Sequence, residues 1–117
     1  MSAVTDPESI PAAIAALDTP DGPPRDLQRD AVRALLARLA GNAPGKSVEV
    51  RVPPFGAVQC VDGPRHTRGT PPNVVECDPL TFLALAAGRL AFADAVADGR
   101  VRASGVRADL TDLLPLA

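Results

Sequence analysis

A chain of 117 residues with 46% hydrophobic content suffices for one domain with one core, and about two thirds of its accessible surface can be buried without disulfide or metal staples. Its net charge of −2 and only three aromatic residues exclude the clustered basic face and the stacking platforms of a nucleic-acid binder. No stretch reaches the ~18 apolar residues of a membrane span, and the start, MSAVTDPESI, lacks a basic region followed by an apolar run, so a cytoplasmic protein is expected.

With Trp and Tyr absent, Ala, Val and Leu must fill the interior. In chain order, the first helix starts either at Asp6 before Pro7 or at Ser9 as cap, and runs to about Leu17. DTPDGPPRD is a rigid, exposed linker, so residues 1–24 form an amino-terminal helix with a Pro-rich linker and residues 25–117 the main domain. From Asp26 to Ala40, Leu27, Ala31, Val32, Leu35, Leu36 and Leu39 recur at helical spacing while Arg25, Arg29, Arg33 and Arg38 take other directions. Gly41 is expected to close that helix.

KSVEVRV alternates strictly, with Val48, Val50 and Val52 on one face, as a half-buried strand does. GAVQCV, after a Pro-Pro break, is expected to pair with it antiparallel. Asn73 to Cys77 make a third strand that runs into Asp78-Pro79, a cap followed by Pro. The helix so opened, PLTFLALAA, is apolar on nearly every side and stops at Gly88; a helix of this kind must be covered by protein or ligand. AFADAVADG gives a short helix with Phe92, Ala95 and Val96 on one side, closed by Gly99. RVRAS alternates as a fourth strand, and ADLTDLLPLA ends in a helical turn or two.

The segment GPRHTRGTPPNVVECDP gathers the only histidine, two arginines and a cysteine. His66 with Cys60 and Cys77 is the only available zinc team, and it lacks both the paired short spacing of zinc ribbons and a second histidine, so no metal and no cofactor are expected. Both cysteines are expected as free thiols. Nucleophilic catalysis by Cys60 with His66 is a minor reading, because Cys60 lies in a strand interior and buried thiols are inert. Arg65 and Arg68 can hold an anion with their planar donor forks, or pair with Asp62 or Glu76 in a solvated hairpin loop. Phe82, Leu83, Leu85, Leu90 and Phe92 are either ordinary core or the wall of a cavity for a hydrophobic small molecule. Spacing alone leaves both open.

CDPLTFLALAAGRLAFADAVADGRVRASG resembles the signature of the sterol carrier protein type two fold: a capped helix ending at a glycine followed by a hydrophobic residue, a second short helix ending at glycine, then a basic alternating strand running to another. Asp78, Gly88 with Leu90, Ala95 with Val96, Gly99, Arg100-Val101-Arg102 and Gly105 carry the likeness. The middle segment, RVPPFGAVQCVDGPRHTRGTPPNVVE, is similar to short sterol-carrier-related proteins of high-GC Gram-positive bacteria and to the carboxy-terminal domain of mycothiol-dependent maleylpyruvate isomerases. The resemblance covers roughly residues 30 to 117 and implies an α+β fold, a mostly antiparallel sheet of about five strands covered by helices, with an apolar tunnel between the layers. Periodicity places four strands. The isomerases carry their metal and thiol chemistry on a separate helical domain, so no enzyme activity is carried over.

Two readings follow. The first is a non-catalytic module that binds an apolar small molecule or lipid, such as a fatty acyl or isoprenoid chain, with Arg65 and Arg68 pairing an acidic head group. The second is a protein-protein interaction or dimerisation domain with a filled core and no ligand, its partner another protein or a second copy in a homodimer.

Overall fold

The computed structural model describes residues 6–63 and 73–117. The chain order is α1 (Ser9–Ala16), α2 (Arg25–Asn42), β1 (Val48–Val52), β2 (Gly56–Cys60), β3 (Asn73–Cys77), α3 (Pro79–Ala86), α4 (Phe92–Ala97), β4 (Val101–Ser104) and a short 3₁₀ turn at Thr111–Leu113. The four strands form one sheet in the order β2-β1-β3-β4. The resemblance implies about five strands; the sheet has four among the described residues.

β1 alternates because its buried Val48, Val50 and Val52 face the helices while Glu49 and Arg51 are partly exposed on the other face. A tight turn at Pro53-Pro54-Phe55, closed by the Phe55 amide on the Val52 carbonyl at 2.9 Å, returns the chain as β2 in antiparallel register, Val48 opposite Cys60 and Val52 opposite Gly56. β3 then adds to the other side of β1 and runs parallel to it, with Val48 opposite Asn73. β4 pairs antiparallel with β3. Two of the three pairings are thus antiparallel, and the central one is not.

On the face away from the helices, the sheet carries a row of alternating charge. Arg51 bonds Glu49 at 3.1 Å and approaches Glu76 at 4.0 Å, and Arg102 bonds Glu76 at 2.7 Å. Arg51 and Glu76 stand opposite each other on β1 and β3, and Glu76 and Arg102 on β3 and β4, whereas Glu49 and Arg51 share one strand.

α1 begins at Ser9, whose amide and hydroxyl both donate to the Asp6 carbonyl. Pro11 therefore occupies the third helical position, where a missing amide breaks no intrahelical bond. Ile10 and Ala13 of α1 join the same core as α2 and the sheet. α2 does not stop at Gly41 but continues to Asn42, with the Ala43 amide still donating to Leu39 at 3.0 Å. Gly41 has no positive φ, and a Cβ built on it meets nothing within 4 Å. Gly41→Ala is therefore expected to raise the unfolding free energy by about 0.5 kcal/mol, through the lower entropy of the unfolded chain and better helix propensity; a denaturation midpoint at or below that of the parent chain contradicts this.

Asn73 ties the sheet to the carboxy-terminal segment. Its side chain is 2% exposed; Nδ2 donates to the Ser47 carbonyl at 2.8 Å, and Oδ1 accepts from the Arg107 amide at 2.8 Å. Asn73→Ala leaves both groups without their partner and is expected to cost about 1–3 kcal/mol in urea unfolding. A loss below half that range would show that water replaces the amide freely.

Candidate functional site

The helical layer over residues 79–98 starts from a cap. The Asp78 carboxylate accepts the Thr81 amide at 2.8 Å, and Pro79 takes the first helical position, where no donor is needed. α3 and α4 end alike. Gly88 (φ 76°) and Gly99 (φ 79°) adopt the left-handed conformation; the amide after each reaches back five residues, Arg89 to Ala84 at 3.0 Å and Arg100 to Ala95 at 2.9 Å. This is the Schellman closure, and it explains why both positions are glycine.

α3 is covered by protein. It packs against α2 and α1, and the carboxy-terminal tail lies across its end, the Leu116 and Ala117 amides both donating to the Ala86 carbonyl. Arg38 of α2 holds that tail from the other side, Nη1 to the Leu116 carbonyl at 2.9 Å. Of the residues named as core or cavity wall, Leu83 is 0% exposed, Phe82 and Leu85 1%, and Phe92 6%; Leu90 is partly buried against the same cluster. A void wide enough for water would give its walls accessible surface, and Phe82, Leu83 and Leu85 have almost none. In this structure they are packed core, continuous with Leu35, Leu39, Val50 and Val75, and the implied tunnel is closed at that level. Val96, expected on the buried side, is 38% exposed. On a helix, Ala95 and Val96 flank Phe92 on opposite sides, and α4 is rolled towards Ala95.

Cys60 and Cys77 are both buried free thiols. Burial pushes the Cys60 thiol above its usual range. Cys77 is pushed up to about 12, first by burial and then by the neighbouring charges of Asp78 and Glu76. A raised folded-state pKa keeps the thiol protonated, so stability is undiminished below the ordinary value of 9.0 and declines as pH rises from there towards 12. Neither thiol is expected to react with an aromatic disulfide reagent at pH 8 in the native protein, and both react after denaturation. Rapid native labelling at Cys77 would contradict this.

Arg65, His66 and Arg68 lie outside the described residues, as do Thr70, Pro71 and Pro72. The strand ends before and after this segment, Cys60 of β2 and Asn73 of β3, both stand opposite Val48. Among the described residues there is no group of three His, Cys, Asp or Glu able to hold a metal ion. No helix there is long and apolar enough to cross a membrane.

Around the Pro53-Pro54 turn lie three open depressions. One, of about 270 Å³, includes Cys77 and Asp78 at the start of α3. A second, of about 570 Å³, lies on the charged sheet face by Glu49, Arg51 and Glu76. The third, of about 500 Å³, is lined by Arg25, Asp26, Arg29, Arg33, Pro54 and Phe55. Sequence reading placed these arginines only on the polar side of α2; their spacing of four residues was the available sign that they share one edge.

A capped apolar helix closed by a left-handed glycine, a second short helix closed the same way and a strand that returns to the sheet together form the architecture expected of a sterol-carrier domain. The family described as "Bacterial SCP ortholog", sterol carrier protein, matches residues 24–116. The chain belongs to that family. The match spans the sheet, α2, the α3–α4 layer and the tail across it. It carries the sterol-carrier kinship; the likeness to the maleylpyruvate isomerase domain is not part of it. No curated protein matches the chain.

Proposed function

We propose that this chain is a non-catalytic binding domain of the sterol-carrier family that takes up an apolar chain, fatty acyl or isoprenoid, between the sheet and the helices of residues 79–98, the closed arrangement being its unloaded form. The observation that carries the reading, beside the family membership, is the character of the contact between these layers. Among the described residues, no side-chain hydrogen bond joins residues 79–98 to the four strands; Phe82, Leu83, Leu85 and Phe92 share one apolar core with the valines of the sheet and the leucines of α2, α3 packing on α2 and α4 on β4. Apolar contacts are non-directional, so a hydrocarbon guest can substitute for the partners that separate. Each buried methylene contributes about 0.8 kcal/mol, so ten of them offset roughly 8 kcal/mol of parting and ordering cost. Leu90 and Phe92, at the joint between α3 and α4, are the proposed first contacts.

The near-zero exposure of Phe82, Leu83 and Leu85 favours a second reading, a domain with a permanently filled core that acts through its surface, in a homodimer or on another protein. Gentle purification followed by native mass spectrometry separates the two. A bound mass of a few hundred daltons, released by organic solvent, is the expected result. A bare chain that also fails to take up a fluorescent fatty acid after delipidation sinks the carrier, and a bare dimer supports the interaction domain.

A further inference from the structure

The arginines at the start of α2 form a separate constellation. Arg25 is the first residue of an 18-residue helix, and Arg29 and Arg33 follow at steps of four, which places them along one edge at intervals of about 6 Å. All three line the depression of about 500 Å³, together with Asp26, Pro54 and Phe55. Two of them are held in place. The Arg25 guanidinium carbon lies 5.2 Å from the centre of the Phe55 ring, and Arg33 Nε donates to the Phe55 carbonyl at 3.0 Å. Phe55 is itself 8% exposed, so both guanidinium groups rest on a packed base.

The acids nearby are engaged. Asp26 Oδ1 accepts the Leu27 amide at 3.0 Å, and Asp30 pairs with Arg29 Nε at 3.0 Å. Among the described residues, no carboxylate lies within ion-pair distance of Arg25 or Arg33. Three guanidinium groups against two carboxylates leave this corner positive in a chain of net charge −2. The positive end of α2 adds to the same field.

We infer that Arg25, Arg29 and Arg33, which line one depression beside Phe55, form a binding site for the phosphate group of a phosphorylated small molecule or of a lipid head group. Phosphate suits the arrangement because its oxygens accept guanidinium forks in pairs. Several forks on one edge offer more donors than a single carboxylate can use. Arg25 and Arg33 are also pre-positioned by Phe55, so little side-chain freedom is lost when the anion arrives. The site is independent of the apolar layer and of whether that layer opens.

The test uses the full chain with two probes, inorganic pyrophosphate in calorimetric titration and phosphatidylglycerol vesicles in flotation. Pyrophosphate is expected to bind saturably, at least about tenfold more weakly in the Arg25→Gln/Arg33→Gln variant and unchanged in Arg89→Gln, whose side chain pairs with Asp18 elsewhere. Binding of pyrophosphate identifies a soluble phosphate compound as the source. Flotation that the double variant abolishes, without pyrophosphate binding, identifies a lipid head group. The absence of both, or binding that the double variant leaves intact, overturns the inference. Should the glutamine variant fail to fold, Arg25→Lys/Arg33→Lys decides: it keeps the charge and loses the fork, so equal binding by that variant overturns the site as described.

Discussion

Phe82→Ala is expected to lower the unfolding free energy by about 3–5 kcal/mol, the cost of deleting a buried ring together with the cavity it leaves. Phe82 is 1% exposed and heads the fully buried side chains ranked by volume. It sits on α3, whose cap at Asp78 and closure at Gly88 fix the helix at both ends, so the surroundings have little room to collapse. Domains of this size are stable by only about 5–15 kcal/mol, and the variant should therefore sit near the edge of folding. Guanidinium unfolding reads this as a lower midpoint at unchanged slope. A loss under about 1 kcal/mol would mean that Phe82 stands in slack space, and would contradict the closed layer described above.

Gly45→Ala is expected to be as damaging for a different reason. Gly45 has φ 150°, and a Cβ there would lie 2.2 Å from both the carbonyl carbon and oxygen of Val61 and 2.4 Å from the Asp62 nitrogen. These are backbone atoms, and two hydrogen bonds hold them: the Ser47 amide donates to Val61 at 2.9 Å, and the Val61 amide to Ala43 at 2.7 Å. Val61 is already in the left-handed region at φ 65°, a costly place for a β-branched residue. The clash can be relieved only by separating the entry to β1 from the exit of β2. A loss of about 3 kcal/mol or more follows. Gly22→Ala is the control. Gly22 also has a positive φ, 67°, but open space around it, so the substitution should cost only about 1–2 kcal/mol of backbone strain. Equal effects at the two positions would show that conformation, and not the contact with Val61, requires glycine at 45.

The two substitutions probe different kinds of information. Phe82 and its neighbours announce themselves by composition, since a helix apolar on all sides has to be buried. Gly45 carries no such mark. Its need for glycine arises from a chain crossing sixteen residues away, and nothing in the local sequence GNAPGKS distinguishes it from Gly41, which lies inside α2 and tolerates a side chain.

What the amino-acid sequence determined by itself was everything with a local cause. The alternation of Val48, Val50 and Val52 specified a strand buried on one face, Asp78-Pro79 opened a helix, and Gly88 and Gly99 closed two, because pleat, cap and left-handed turn each depend on a few adjacent residues. The tertiary structure alone decided that β3 lies parallel to β1, since strand order depends on a long connection and not on the pattern within either strand. It alone brought Arg25 over the ring of Phe55 and Arg33 onto its carbonyl, more than twenty residues away on a turn between strands. It alone decided that the layer of α3 and α4 is closed, because an apolar side chain is written the same way whether it meets another side chain or a guest, and only close packing in three dimensions distinguishes the two.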